Sequence, residues 1–178
     1  MALTSVFTGS HGTLGIAVEG TPTQQADFNA ISDAYGTALI GRVTDVEVCV
    51  HTELFEFFEL GFRDVITISP GNVHITGTIG RAYVNGGLVF LLLGRGATEN
   101  AATTIQPRFV LNLALKNPHI PDNALKVNVF GVKFETWGIH IPQEDFVMEQ
   151  VRFKATRLGI LDRDDGKDIS VAFPAQQN

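Results

Sequence analysis

One cysteine, two methionines and one tryptophan in 178 residues leave little room for the chemistries that depend on them. Cys49 alone makes no internal disulfide and no cysteine zinc cluster, which fits a chain that folds in a reducing compartment. Positive charge is also scarce: 13 Lys and Arg stand against 19 Asp and Glu, a formal net charge of -6. A protein that grips nucleic-acid phosphates presents a basic face, so tight binding of a polyanion is not expected. Long apolar runs are missing. The longest, Leu88 to Leu93, falls far short of the ~20 residues a membrane-spanning helix needs. The opening MALTSVFTGSHG carries no basic stretch followed by an apolar one, so no secretion leader and no membrane partner are expected, and the product is read as cytosolic.

What the chain has in quantity is apolar surface, with 44% hydrophobic residues and 13 Phe. That supports one domain over 1–178 with a core of its own. In 1–40, Phe28, Ile31, Tyr35 and Leu39 recur at helical spacing behind Thr21-Pro22, which predicts a short amphipathic helix interrupted at Gly36. From Gly41 the period changes to two: Val46, Val48 and Val50 alternate with Asp45, Glu47, Cys49 and His51, the pattern of a strand with one apolar face. ELFEFFELGFRD fits neither period and reads as an irregular connection ended by Gly61. VITIS reads as a short strand, Pro70-Gly71 as a turn, and Val73 to Ile79 as a longer strand.

GGLVFLLL is the one convincing helix, capped by Asn85 and stopped by Gly94, with Leu88, Leu91 and Leu92 for the core. At that length it needs a sheet to lie on. Strand-like segments follow in IQPRFVLNLALK, ALKVNVFGVKFETW and DFVMEQVRFKATRLGIL, and 162–178 reads as a C-terminal arm. Few of these strands have a uniformly polar face. The chain therefore reads as mainly β, a sandwich or barrel with one short helix and extra surface buried by partner subunits.

No catalytic, metal or cofactor-binding residue is assigned. His11, His51, His74, His119 and His140 are scattered without metal-ligand spacing, and GRGATEN follows a helix where a phosphate cradle precedes one. Cys49 and His51 share a strand face, yet no orienting acid or oxyanion motif accompanies them. Asp45 and Glu47 also share a face. They read either as a solvated patch or as an acidic surface that repetition in an assembly would amplify.

One stretch is more specific. Glu56, Phe57-Phe58, Glu59-Leu60-Gly61, Arg63, Pro70-Gly71, Gly77, Arg81-Ala82 and the apolar helix through Leu88 and Leu92 resemble the corresponding part of tail tube proteins of contractile-tailed bacteriophages and related injection machines. VKFETWGIHIPQEDFVMEQVRFKATRLGIL is similar to that family's last hairpin. The resemblance implies a β-sandwich or split barrel with one short flanking helix, and a non-enzymatic structural subunit of the virion tail, assembled in the host cytoplasm. Hexameric rings would share one barrel and stack into a conduit through which DNA passes unbound. Sheath, baseplate or initiator, tape-measure and tail terminator proteins would be the partners. On that reading Asp45, Glu47 and, less directly, Glu149 line the lumen. Phe55, Glu56, Phe57, Phe58, Glu59 and Arg63 form a ring-to-ring or intersubunit contact, or else the phenylalanines fill the subunit core. The alternatives are an inner-tube or baseplate component of an injection system and, from another class, a small-molecule-binding β-barrel or Cys49/His51 enzyme.

Overall fold

The computed structural model describes residues 7, 9–19, 22, 25, 26, 29, 33, 43–83, 85–93, 106–116, 123–164 and 167–173. The apolar positions of the helix expected in 1–40, and Gly94, lie outside them. After a 3-10 turn at Gly9–His11 the described residues form eight strands: β1 (Gly12–Glu19), β2 (Val43–Phe57), β3 (Thr67–Ala82), β4 (Arg108–Lys116), β5 (Ala124–His140), β6 (Met148–Ala155), β7 (Arg157–Asp164) and β8 (Lys167–Phe173). One short helix, α1 (Gly87–Leu93), stands between β3 and β4.

All described pairings are antiparallel, and β5 belongs to two layers. Its first half, Ala124–Phe130, sits between β4 and β7 in a layer ordered β1-β4-β5-β7-β8. Its second half, Lys133–His140, pairs with β6 in a layer ordered β2-β3-β6-β5. The sheet thus curls on itself, as strands do when they turn a corner between packed layers. The corner is built at Gly131, whose φ of +62° suits a residue without a side chain. A Cβ there would come within 2.1 Å of Thr156 Oγ1. Thr156 donates its N–H to the Phe130 carbonyl at 3.0 Å and separates β6 from β7. DFVMEQVRFKATRLGIL is therefore two strands in two layers, where one was expected. Likewise the expected arm over 162–178 begins inside β7 and continues as β8, a hairpin at the edge of the sheet.

The core lies in the fold of the sheet. Ile75, Ile79, Phe134, Val151 and Phe153 from one layer meet Phe109, Leu111, Val129 and Val132 from the other. Phe109 stacks on Phe134 with ring centroids 5.2 Å apart. Leu88 and Leu91 of α1 are buried in the same cluster and Leu92 packs at its margin, each full burial worth about 1.5–3 kcal/mol. Asn85 caps the helix by accepting the Gly87 N–H at 3.1 Å. Gln106 holds its far end, donating to the Leu92 carbonyl at 3.0 Å and to the Phe134 carbonyl of β5 at 2.8 Å. The expected helix and its core leucines are thus present, held at both ends by side chains.

The middle of the chain differs from the sequence reading. Glu53–Phe57 continues β2, and β3 runs unbroken through Pro70-Gly71. Between the pairs Thr52–Val73 and Leu54–Pro70 the register shifts, so Gly71 and Asn72 oppose Glu53 alone: a bulge in β3. Proline is tolerated because β6 pairs with β3 only from Ile75 onward, leaving that side of Pro70 without a described partner. The true turn is at Phe58–Ile66, with Gly61 at φ +93° and the Phe62 N–H donating to the Glu59 carbonyl at 3.0 Å. Residues 52–74 therefore form a two-stranded ribbon that extends past the layer.

Candidate functional interface

The outward face of the β2-β3-β6-β5 layer follows directly from alternation. Val46 and Val48 turn to the core while Asp45, Glu47, Cys49 and His51 turn out, and Val151 and Phe153 turn in while Gln150, Arg152 and Lys154 turn out. Register then assembles rows across the layer. Asp45 lies opposite Gly80, Gly80 opposite Gln150, and Gln150 opposite Gly138; in the next row come Glu47, Thr78, Arg152 and Thr136. Asp45 and Glu47 are exposed there, as the sequence implied, and share the face with three cations, Lys133, Arg152 and Lys154.

Their bonding is sparse. Asp45 accepts from Thr44 Oγ1 at 2.9 Å and Glu47 from Thr78 Oγ1 at 3.5 Å, the limit of a hydrogen bond. Lys154 pairs with Glu135 of β5 at 2.7 Å. Neither Lys133 nor Arg152 has an ion-pair partner among the described residues. Gly80 and Gly138 leave a hollow in the face between Asp45 and Arg152.

Glu149 does not belong to this face. Its position opposite Arg81 and beside Val151 turns it inward, where it is buried and ion-paired to Arg81. Trp137 Nε1 donates to its other oxygen at 2.8 Å. Arg81 also donates to the Asn85 carbonyl at 3.0 Å, so the pair ties β3, β5 and β6 to the cap of α1. A buried carboxylate with both oxygens engaged gives no field to a lumen, so that expectation is corrected. Sequence alternation placed Glu149 with Val147, Val151 and Phe153, which was the available signal.

The ribbon is the second feature. Leu54 is 63% exposed, Phe55 60%, Phe57 59% and Ile68 56%, and Phe58, Leu60, Phe62, Val65 and Ile66 are exposed as well. The phenylalanines therefore do not fill the core of their own chain. Glu56, Glu59 and Arg63 are exposed among them. Phe55 covers Gly71, where an added Cβ would lie 2.3 Å from its ring. Where the ribbon leaves the layer, His51 faces His74, and His74 Nε2 meets Glu53 Oε1 at 3.1 Å. That contact holds the Glu53 carboxyl below its ordinary pKa, the hydrogen bond from His74 being the main cause. Cys49 is exposed opposite Thr76. Among the described residues no group of three His, Cys, Asp or Glu could hold a metal ion, and no helix is long and apolar enough to cross a membrane.

Two edges of the polar layer are unpaired among the described residues. One is the outer side of β2; the other is the β5 segment beyond Phe134, whose carbonyl is taken by Gln106. With every neighbouring pair antiparallel, β2 and β5 run in opposite directions. The β2 edge of one copy can therefore meet the β5 edge of another in the pattern that builds the layer itself.

No protein-family model matches the chain, and no curated protein matches it in sequence. Solved structures do match in fold. A chain of the extracellular contractile injection system PVC, from its sheath–tube complex in the extended state, aligns with TM-score 0.54 at 11% identity over 89% of this chain and 93% of that one. A chain from the anti-feeding prophage cap, a tube-terminating cap, gives 0.55 at 13% identity over 90% and 93%. A chain of the PVC sheath/tube terminator gives 0.50 at 12% over 89% and 99%. The fold is thus that of proteins found in the tubes and caps of contractile machines.

Proposed function

We propose that this chain is a structural subunit of a hollow tail or injection tube, in which copies join edge to edge into hexameric rings and rings stack into a conduit. The observation that carries the reading is a layer with one polar face, one core face and two edges of opposite direction that are unpaired among the described residues. Edges left open invite uncontrolled pairing, and closing them into a barrel removes them. The fold shared with tube and cap chains supports the same conclusion.

On this reading the role is not enzymatic. The polar face carrying Asp45 and Glu47 lines the lumen, and DNA, in a phage tail, passes without specific contacts. The apolar ribbon with Phe55, Glu56, Phe57, Phe58, Glu59 and Arg63 seats on a neighbouring copy, its apolar anchors rimmed by charge as in protein interfaces. Sheath, baseplate, tape-measure and terminator proteins are the further partners, in a virion tail assembled in the host cytoplasm or in the inner tube of an injection system.

Light scattering of the purified chain together with negative-stain electron microscopy tests the proposal. Rings or hollow tubes are expected. A compact monomer at every concentration, with or without a preformed tube end as seed, would contradict it. Reversing the charge of Glu56 should impair tube growth and spare folding.

A further inference from the structure

The charges on the polar layer are sorted by strand. β2 carries Asp45 and Glu47, β3 offers Thr76, Thr78 and Gly80, β6 carries Arg152 and Lys154 beside Gln150, and β5 carries Lys133 and Glu135, the latter paired to Lys154, before Thr136, Gly138 and His140. Beyond Glu135 the order from one open edge to the other is therefore acid, neutral, base and then a β5 segment without Asp, Glu, Lys or Arg. Strands in a layer lie about 4.8 Å apart, so the unpaired Arg152 sits one strand in from the β5 edge. Between it and that edge stand only Thr136 and Gly138, and nothing lies within 4 Å of where a Gly138 side chain would begin. A long guanidinium side chain crosses such a strand with its stem on the surface and its head beyond. Lys133, also unpaired, stands near the start of the same edge.

Resting on the tube reading above, we infer that the joint between copies is selected by charge: Asp45 and Glu47 on the β2 edge of one copy meet Arg152 and Lys133 at the β5 edge of the next. The partner this edge fits is a second copy of the chain. Opposite charges at the two edges, without ion-pair partners among the described residues, favour this joint, because matched potentials steer encounter and like charges brought together are penalised. Apolar groups close beneath it, since Val50 on β2 and Ile139 on β5 are 45% and 39% exposed in the free chain. Around a ring the face becomes alternating acidic and basic stripes, in place of the uniformly acidic lining that Asp45 and Glu47 alone imply.

A charge-swap complementation tests the joint. One variant carries D45K and E47K; the other carries K133E and R152E. All four positions are exposed, and none makes an ion pair among the described residues, so both variants should fold as the parent does by circular dichroism. At low ionic strength each alone should need roughly tenfold more protein to assemble, or fail to, because like charges then face each other across every joint. Mixed one to one, they should assemble with alternating copies, since each reversed edge meets its opposite. Parent-like assembly of either variant alone, or a mixture no better than its components, would overturn the charge-selected joint while leaving the tube reading intact. A parent chain that never assembles would overturn the tube reading itself, and the joint with it.

Discussion

The two ends of the β2–β3 hairpin are built from similar residues and live in different surroundings. At one end Val46, Val48, Ile75 and Ile79 pack into the core beside β6, and the polar side chains between them face out. At the other, Leu54, Phe55, Phe57 and Ile68 are as apolar and more than half exposed, on strands with no third strand beside them among the described residues. A lone two-stranded ribbon in water is marginal, and an apolar patch of this kind marks an interaction site. The difference teaches that half of the hairpin packs into this chain's core, while the other half keeps its apolar side chains exposed, which on the proposed reading seat on a neighbouring copy.

The sharpest way to break that contrast is at the core end. Glu149→Ala leaves Arg81 buried without its carboxylate, and should cost about 3–5 kcal/mol in denaturant unfolding. A loss under ~1 kcal/mol would mean that water reaches the pair. At the corner, Gly131→Ala meets Thr156 Oγ1 and an unfavourable φ together, and should cost about 1–3 kcal/mol by the same measurement. Both changes act inside the chain's own core and corner.

At the ribbon end, Phe57→Ser with Phe58→Ser should change monomer unfolding by no more than ~0.5 kcal/mol, as exposed substitutions do, and still abolish assembly in light scattering. A large loss of monomer stability would erase the distinction between the two ends. The smallest effect is at Glu53. Its pKa is depressed by His74, so its contribution is present above the unfolded carboxyl value and lost as pH falls through the folded one. Hydrogen exchange in the ribbon should speed up across that acidic window in the parent and lose this step in Glu53→Gln.

Much of this was legible in the sequence wherever one face met the core. Alternation at Val46 to His51 gave β2 its inward and outward sides, and spacing with a cap gave α1 and its leucines. Legibility failed in the ribbon for a physical reason: with neither face in the core, Leu54 to Phe57 shows no clean period, and Pro70-Gly71 signals a turn where a bulge stands. It failed again at Thr156, because a strand that changes layers keeps its residue pattern while changing its neighbours. The lumen candidates divided along the same line. Asp45 and Glu47 alternate with core valines and face out, whereas Glu149 sits in phase with Val151 and Phe153 and faces in. Arg152 and Lys154 were in plain view as the polar partners of those residues, but their value as an opposing stripe exists only once β2 and β6 are placed in one layer.

The central claim is that the polar face of β2-β3-β6-β5 lines a channel, and the chain supplies its own probe, since its only cysteine, Cys49, is exposed on that face. Assembled tubes would be labelled substoichiometrically with a small maleimide–gold cluster and imaged by electron microscopy. Gold along the tube axis is the predicted result; gold on the outer wall would contradict the account.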